Sequence, residues 1–86
     1  MSVGIEKLQP GDHARVVGYG GSDKEYRRKL LSMGLTRGTE FRFVKRAPLG
    51  DPIEIELRGF ALTLRRAEAR ILELEPVGEE VEHAVK

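Results

Sequence analysis

The sequence predicts a mainly β fold, one small closed barrel of about five short strands with a single short α-helix inserted between the first and second. Three observations predict it. Apolar and polar residues alternate with period two in short runs, most cleanly where Ile53, Ile55 and Leu57 interleave with Glu54, Glu56 and Arg58. Glycine and proline turn signals separate those runs, and only one segment carries a helical period. At 86 residues the chain suffices for one core; a domain of this size buries little more than ~60% of its unfolded surface. Closing so few strands into a barrel removes exposed edges.

The elements follow in order. Leu8-Gln9-Pro10-Gly11-Asp12 reads as a turn with proline second and glycine third, a type II preference. His13 to Tyr19 is the first strand, with Ala14, Val16 and Val17 apolar, and Gly20-Gly21 breaks it. Ser22-Asp23-Lys24-Glu25 has the form of a capping box. Tyr26, Leu30 and Met33 then make one apolar stripe, and Gly34 fits the left-handed position that ends a helix, with Leu35 packing back over the last turn. The helix therefore covers about 23–33, opening at Asp23 and ending at Met33. Phe41 and Phe43 mark the second strand, and Val44 breaks its alternation as a bulge would. After the Ile53 strand, Gly59 marks a tight connection to a fourth strand carrying Phe60, Leu62 and Leu64. Residues 65–69 read as one helical turn. Ile71 to Glu75 forms the last strand, which Pro76 ends. Five strands arranged in this way around one helix read as an SH3-like barrel occupying residues 1–76. Residues 77–86 read as a mobile acidic tail. Phe41, Phe43 and Phe60 are all expected in the core.

Composition excludes several function classes. The chain has no cysteine, so disulfides, thiolate metal sites and thiol redox chemistry are out. No segment has the roughly 18 continuous apolar residues of a membrane span, and residues 1–10 lack the pattern of a secretory signal, so the expectation is a cytoplasmic protein without membrane insertion. The 15 basic and 14 acidic residues nearly balance. Glu79, Glu80 and Glu82 concentrate negative charge in the tail and leave a modest positive field on the remainder. That field is too weak to imply nucleic acid, and the aromatic residues read as core rather than as a stacking platform. His13 and His83 have no second ligand at zinc spacing. Asp51, Glu54 and Glu56 are near one another in sequence and could meet a hard cation loosely, but alternating acids are the ordinary outside of a strand. No nucleophile has a plausible base beside it, and no phosphate-cradling glycine motif is present. The expectation is a binding module with no catalytic residue, metal or cofactor.

The most informative segment is Ala47-Pro48-Leu49-Gly50-Asp51-Pro52. A simple hairpin needs only two connecting residues. Here two prolines restrict the backbone, Gly50 supplies a positive φ, and Leu49 stands near the tip. The second candidate surface is the helix end. Lys24, Arg27 and Arg28 share one face, and Leu31 falls beside them, off the apolar stripe. An apolar spot ringed by arginine suits a protein interface; the plainer alternative is a solvated face with Leu31 tucked beneath a loop. The candidate partner-binding residues are therefore Arg27, Arg28, Leu31, Met33, Gly34 and Leu35 on the helix, and Pro48, Leu49, Gly50, Asp51 and Pro52 on the loop.

Arg27-Arg28-Lys29-Leu30-Leu31-Ser32-Met33-Gly34-Leu35, then Gly38-Thr39, then Ala47-Pro48-Leu49-Gly50-Asp51-Pro52-Ile53 strongly resemble the FeoA family, small cytoplasmic accessory proteins of bacterial ferrous-iron uptake. The resemblance runs from about Leu8 to Glu75. It implies an SH3-like barrel with an inserted helix and a regulatory role beside the membrane transporter FeoB, whose cytoplasmic part carries a GTP-binding domain. It brings no catalytic residues. The related domain of iron-dependent repressors leaves a metal-sensing or regulatory reading as the alternative, with a small nucleic-acid-binding barrel as a second. Self-association through an open edge or the apolar loop stays open.

Overall fold

The computed structural model describes residues 2–21 and 23–78. A 3-10 turn, Ile5–Lys7, precedes strand β1 (His13–Tyr19), helix α1 (Lys24–Ser32), strands β2 (Glu40–Arg46), β3 (Ile53–Leu57) and β4 (Phe60–Leu64), helix α2 (Arg66–Ala69) and strand β5 (Leu72–Val77). All neighbouring strands are antiparallel, in the order β4-β3-β2-β1-β5. The five strands, the inserted helix and the single helical turn after β4 are those the alternation predicts, and the fold is mainly β and SH3-like.

One core lies under the sheet. Phe41 and Phe43 of β2, Ile55 of β3, Leu64 of β4 and Leu72 and Leu74 of β5 all reach it, together with Leu30 of α1. Both ends of the sheet thus share the same apolar interior. The edge strands β4 and β5 are not paired to each other by any ladder among the described residues. The closure expected from edge removal is instead made by side-chain packing, with α2 spanning the chain between β4 and β5. The Glu68 carboxylate fixes that turn. It accepts the Arg65 backbone N–H at 3.2 Å, satisfying a helix N-terminal amide, and takes the Lys29 ammonium of α1 at 2.6 Å.

Both register irregularities sit where the apolar pattern doubles. The β2–β3 ladder shifts between Phe43 and Lys45, so Val44 is the extra residue. The β1–β5 ladder shifts between Val16 and Gly18, which turns Val17 outward.

Three sequence expectations change, and one segment with no predicted element joins the core. Pro76 lies inside β5, opposite Ala14, and does not end it. A proline is tolerated there because β5 is an edge strand. The N-terminal segment belongs to the fold: Ile5 is fully buried, and Val3 exchanges two backbone hydrogen bonds with Leu74, at 2.7 and 2.9 Å. The cap of α1 is Asp23, whose Oδ1 accepts the N–H groups of Glu25 and Tyr26 at 3.0 Å each. Ser22, read as the start of a capping box, lies outside the described residues, as does the tail from 79 onward. Finally, Phe60 is 72% exposed, although its alternation with Leu62 and Leu64 is real. Its ladder partners face the core, and exposure rises along β4 from Leu64 through Leu62 to Phe60. Among the described residues no further strand lies beyond β4 to cover the end of that row.

The β3–β4 connection is two residues long, Arg58 and Gly59, with φ of 54° and 86°. Positive φ at both positions is the type I′ geometry that matches strand twist, and asparagine followed by glycine is its preferred pair. Arginine costs about 1 kcal/mol there because its Cβ crowds the following carbonyl. Arg58→Asn is therefore expected to stabilise the domain by about 0.5–1 kcal/mol in urea unfolding. Unchanged or reduced stability would show that the Arg58 side chain makes a compensating contribution to the fold.

Candidate partner-binding surface

The loop 47–52 holds its shape through its own backbone. The Gly50 N–H donates to the Ala47 carbonyl at 2.7 Å, closing a four-residue turn with Pro48 in its second position. Gly50 takes a φ of 87°, and the Ala47 N–H bonds the Pro52 carbonyl at 3.0 Å across the base. The Asp51–Pro52 peptide is cis. The Asp51 carboxylate accepts the Arg66 N–H at 3.0 Å, which pins the loop to the first residue of α2. Asp51 therefore orients the loop. Pro48, Asp51 and Pro52 are exposed, Gly50 half-buried, and Leu49 is 89% exposed. An apolar tip held out by an internally bonded loop is the geometry the sequence suggests.

Beneath the loop runs an open cleft of about 400 Å³, lined by Arg46, Arg66, Arg70 and Glu6 over Ile5 and Ile53. Arg46 is structural. Its guanidinium donates to the Leu8 carbonyl at 3.1 Å and lies 4.6 Å from the centre of the Phe43 ring, so it stitches the N-terminal turn onto β2.

The helix end is built by its C-terminal cap. The Leu35 N–H reaches the Leu30 carbonyl and the Gly34 N–H the Leu31 carbonyl, both at 3.0 Å, with Gly34 at a φ of 98°. This is the Schellman pairing, in which the residue after the glycine packs back onto the last turn. Leu35 is accordingly 0% exposed, as is Leu30. Leu35 does not belong among the partner-binding candidates: the same motif that ends the helix drives it into the core. Met33 and Gly34 are half-buried, and Met33 packs against the core. Leu31 is 42% exposed, so the plain alternative of a leucine tucked under a loop does not hold. Arg27 and Arg28 are exposed beside it and form no ion pair among the described residues.

The two surfaces sit at opposite ends of β3. The loop leads into Ile53, whereas Gly34 approaches Leu57, whose side chain would lie 3.4 Å from a Cβ at position 34. The acids considered for a cation are not brought together. Asp51 bonds α2, Glu56 pairs with Arg42 at 2.8 Å, and Glu54 stands opposite Lys45 in the ladder. Among the described residues no group of three or more His, Cys, Asp or Glu side chains is placed to hold a metal. No described helix is long and apolar enough to cross a membrane.

The sequence model of the FeoA domain matches residues 3–76. The chain belongs to the FeoA domain family. A FeoA-like protein from Clostridium acetobutylicum has 37% sequence identity and a TM-score of 0.80, covering 91% of this chain and 90% of that one. A fusion of Fe(2+) transport protein A with the Fe(2+) transporter FeoB, from Porphyromonas gingivalis, is 32% identical over 71 residues. The match covers 83% of this chain but only 8% of the fusion protein's length. A manganese-dependent transcriptional repressor shares the fold alone, with a TM-score of 0.80 at 16% identity.

The Tyr19 hydroxyl donates to the Leu35 carbonyl and so fastens the helix cap to β1. Burial pushes the Tyr19 phenol above its ordinary value, against the opposing pull of Arg37 and Arg27. The folded state thus holds a proton that the unfolded state releases first. The stability gained is complete below the unfolded value of about 10 and is lost as pH rises through the higher folded value. Urea unfolding is expected to show stability falling above about pH 10, with a shallower fall in Tyr19→Phe. Equal slopes in the two proteins would dissociate Tyr19 from the alkaline transition.

Proposed function

We propose that this chain is an accessory binding module of ferrous-iron transport, acting in the cytoplasm by contacting the GTP-binding region of a FeoB-type transporter. The observation that carries this reading is the Porphyromonas fusion, in which a homologue of this chain and a FeoB transporter share one polypeptide. Covalent linkage makes an encounter intramolecular and is useful when the two domains act together. The exposed chemistry supports a protein contact. Leu49 stands on a loop already closed by its own hydrogen bonds, so docking it loses little conformational entropy. Leu31 offers a second apolar point, with Arg27 and Arg28 able to make charge-assisted bonds to acidic groups beside it. The cleft beneath the loop is open to solvent, which suits contact with a protein surface better than a reaction that must exclude water.

The test is co-purification with the transporter's cytoplasmic domain in defined nucleotide states. Leu49→Asp and Leu31→Glu place charge on exposed sites, so both variants should fold. Each is expected to weaken capture by about tenfold or more, the cost of desolvating a charge in an apolar contact. Full capture by both folded variants would remove these surfaces from the interface. No capture of the parent chain in any nucleotide state would end the transporter reading.

A further inference from the structure

The two edges of the sheet are finished differently. The β5 edge is protected in two ways: Pro76 removes a donor, and Val3 pairs with Leu74 on its outer side. The β4 edge has none of these. Phe60-Ala61-Leu62-Thr63-Leu64 contains neither a charge nor a proline, and among the described residues no backbone group bonds its outer side. Ala61 and Thr63 are exposed, Leu62 is half-buried, and the Phe60 ring stands uncovered beside them.

Charge brackets this bare edge. Arg58 precedes β4 in the hairpin, Arg65 and Arg66 follow it, and all three are exposed. None of them forms an ion pair among the described residues. Glu54 and Glu56, one strand further in, stand opposite Lys45 and Arg42 on their other side. In an antiparallel pairing of β4 with a second copy about Leu62, Arg58 of each copy falls where the other carries Arg65 and Arg66. That juxtaposes like charges at both ends and opposes self-pairing.

We infer that the outer edge of β4 is a docking site for an extended segment of another protein that has small or apolar residues in its middle and an acidic residue at each end. Such a strand satisfies the unpaired backbone groups of β4, lays alternate side chains over Phe60 and Leu62, and meets Arg58 at one end and Arg65 and Arg66 at the other. The left-handed Arg58 fits this use. A cheaper turn residue is available at that position, and arginine puts a cation at the hairpin end of β4. This surface adjoins the 47–52 loop, whose Asp51 and Pro52 line one cleft with Thr63 and Arg65, and it does not depend on the transporter being the partner.

The probe is the blocked peptide Glu-Ser-Val-Thr-Val-Thr-Val-Ser-Glu, whose glutamates span the distance from Arg58 to Arg66 and whose valines fall opposite Phe60, Leu62 and Leu64. Backbone amide NMR of the full chain is expected to show saturable shifts along β4 and in Arg58. Replacing both glutamates with lysine should weaken binding about tenfold, as should Arg58→Asn combined with Arg66→Gln. Added salt should weaken the glutamate peptide, and N-methylation of its alternate amides along one edge should abolish binding. Shifts confined to loop 47–52, equal binding of the lysine peptide, or no shifts at millimolar peptide would each overturn the proposal. So would a β4-paired dimer of the chain in sedimentation, or tighter binding of a single-stranded oligothymidine than of the peptide.

Discussion

The fold depends on a sheet that curls over one core without joining its two ends by hydrogen bonds. Leu64 on β4 and Leu72 and Leu74 on β5 meet in the same apolar interior, while the ladders stop at β4 on one side and β5 on the other. Burial supplies the attraction that holds the ends together, and it is non-directional. It leaves the backbone groups at each edge to be satisfied by other means. The chain spends Val3 and a proline on one edge and, among the described residues, nothing comparable on the other. The hairpin arginine, the uncovered Phe60 and the bare strand are all consequences of that asymmetry.

Around this body, short helical devices set the position of the exposed groups. The Schellman cap at Gly34 pulls Leu35 inward and leaves Leu31 outward, three residues before the glycine. Glu68 ties α1 to α2, and Asp51 ties α2 to the 47–52 loop. The loop tip and the helix are thereby connected through one short helical turn. On the proposed reading these apolar points are already fixed on the body, so that a partner would not have to order them first.

Much of this was legible in the sequence. Period-two alternation placed β2, β3 and β4, because a half-buried strand writes its two faces directly into residue order. The bulge at Val44 and the exposed Leu49 followed from the same logic, from a broken alternation and a proline-bounded loop. Phe60 shows where the logic stops. Alternation reports which face a residue occupies, and whether anything covers that face depends on which strand ends the sheet. Pro76 failed for a related reason: it breaks a central strand, but β5 is an edge, a fact of topology. Leu35 was counted twice, as the residue that packs over the helix end and as a contact for a partner, and the fold permits only the first. Ile5 and Val3 were missed because isolated apolar residues near a terminus carry no period. The bond from Asp51 to Arg66 joins positions 15 apart in sequence and leaves no local trace.

The central claim is that β4 presents an unpaired edge while β5 does not, and amide hydrogen exchange on the isolated chain tests it most directly. The Leu74 amide, bonded outward to Val3, should exchange slowly, while alternate amides of β4 exchange nearly as fast as loop amides and those between them are protected by β3. Uniform slow exchange along β4, matching β3, would mean that the edge is already covered and would contradict the account.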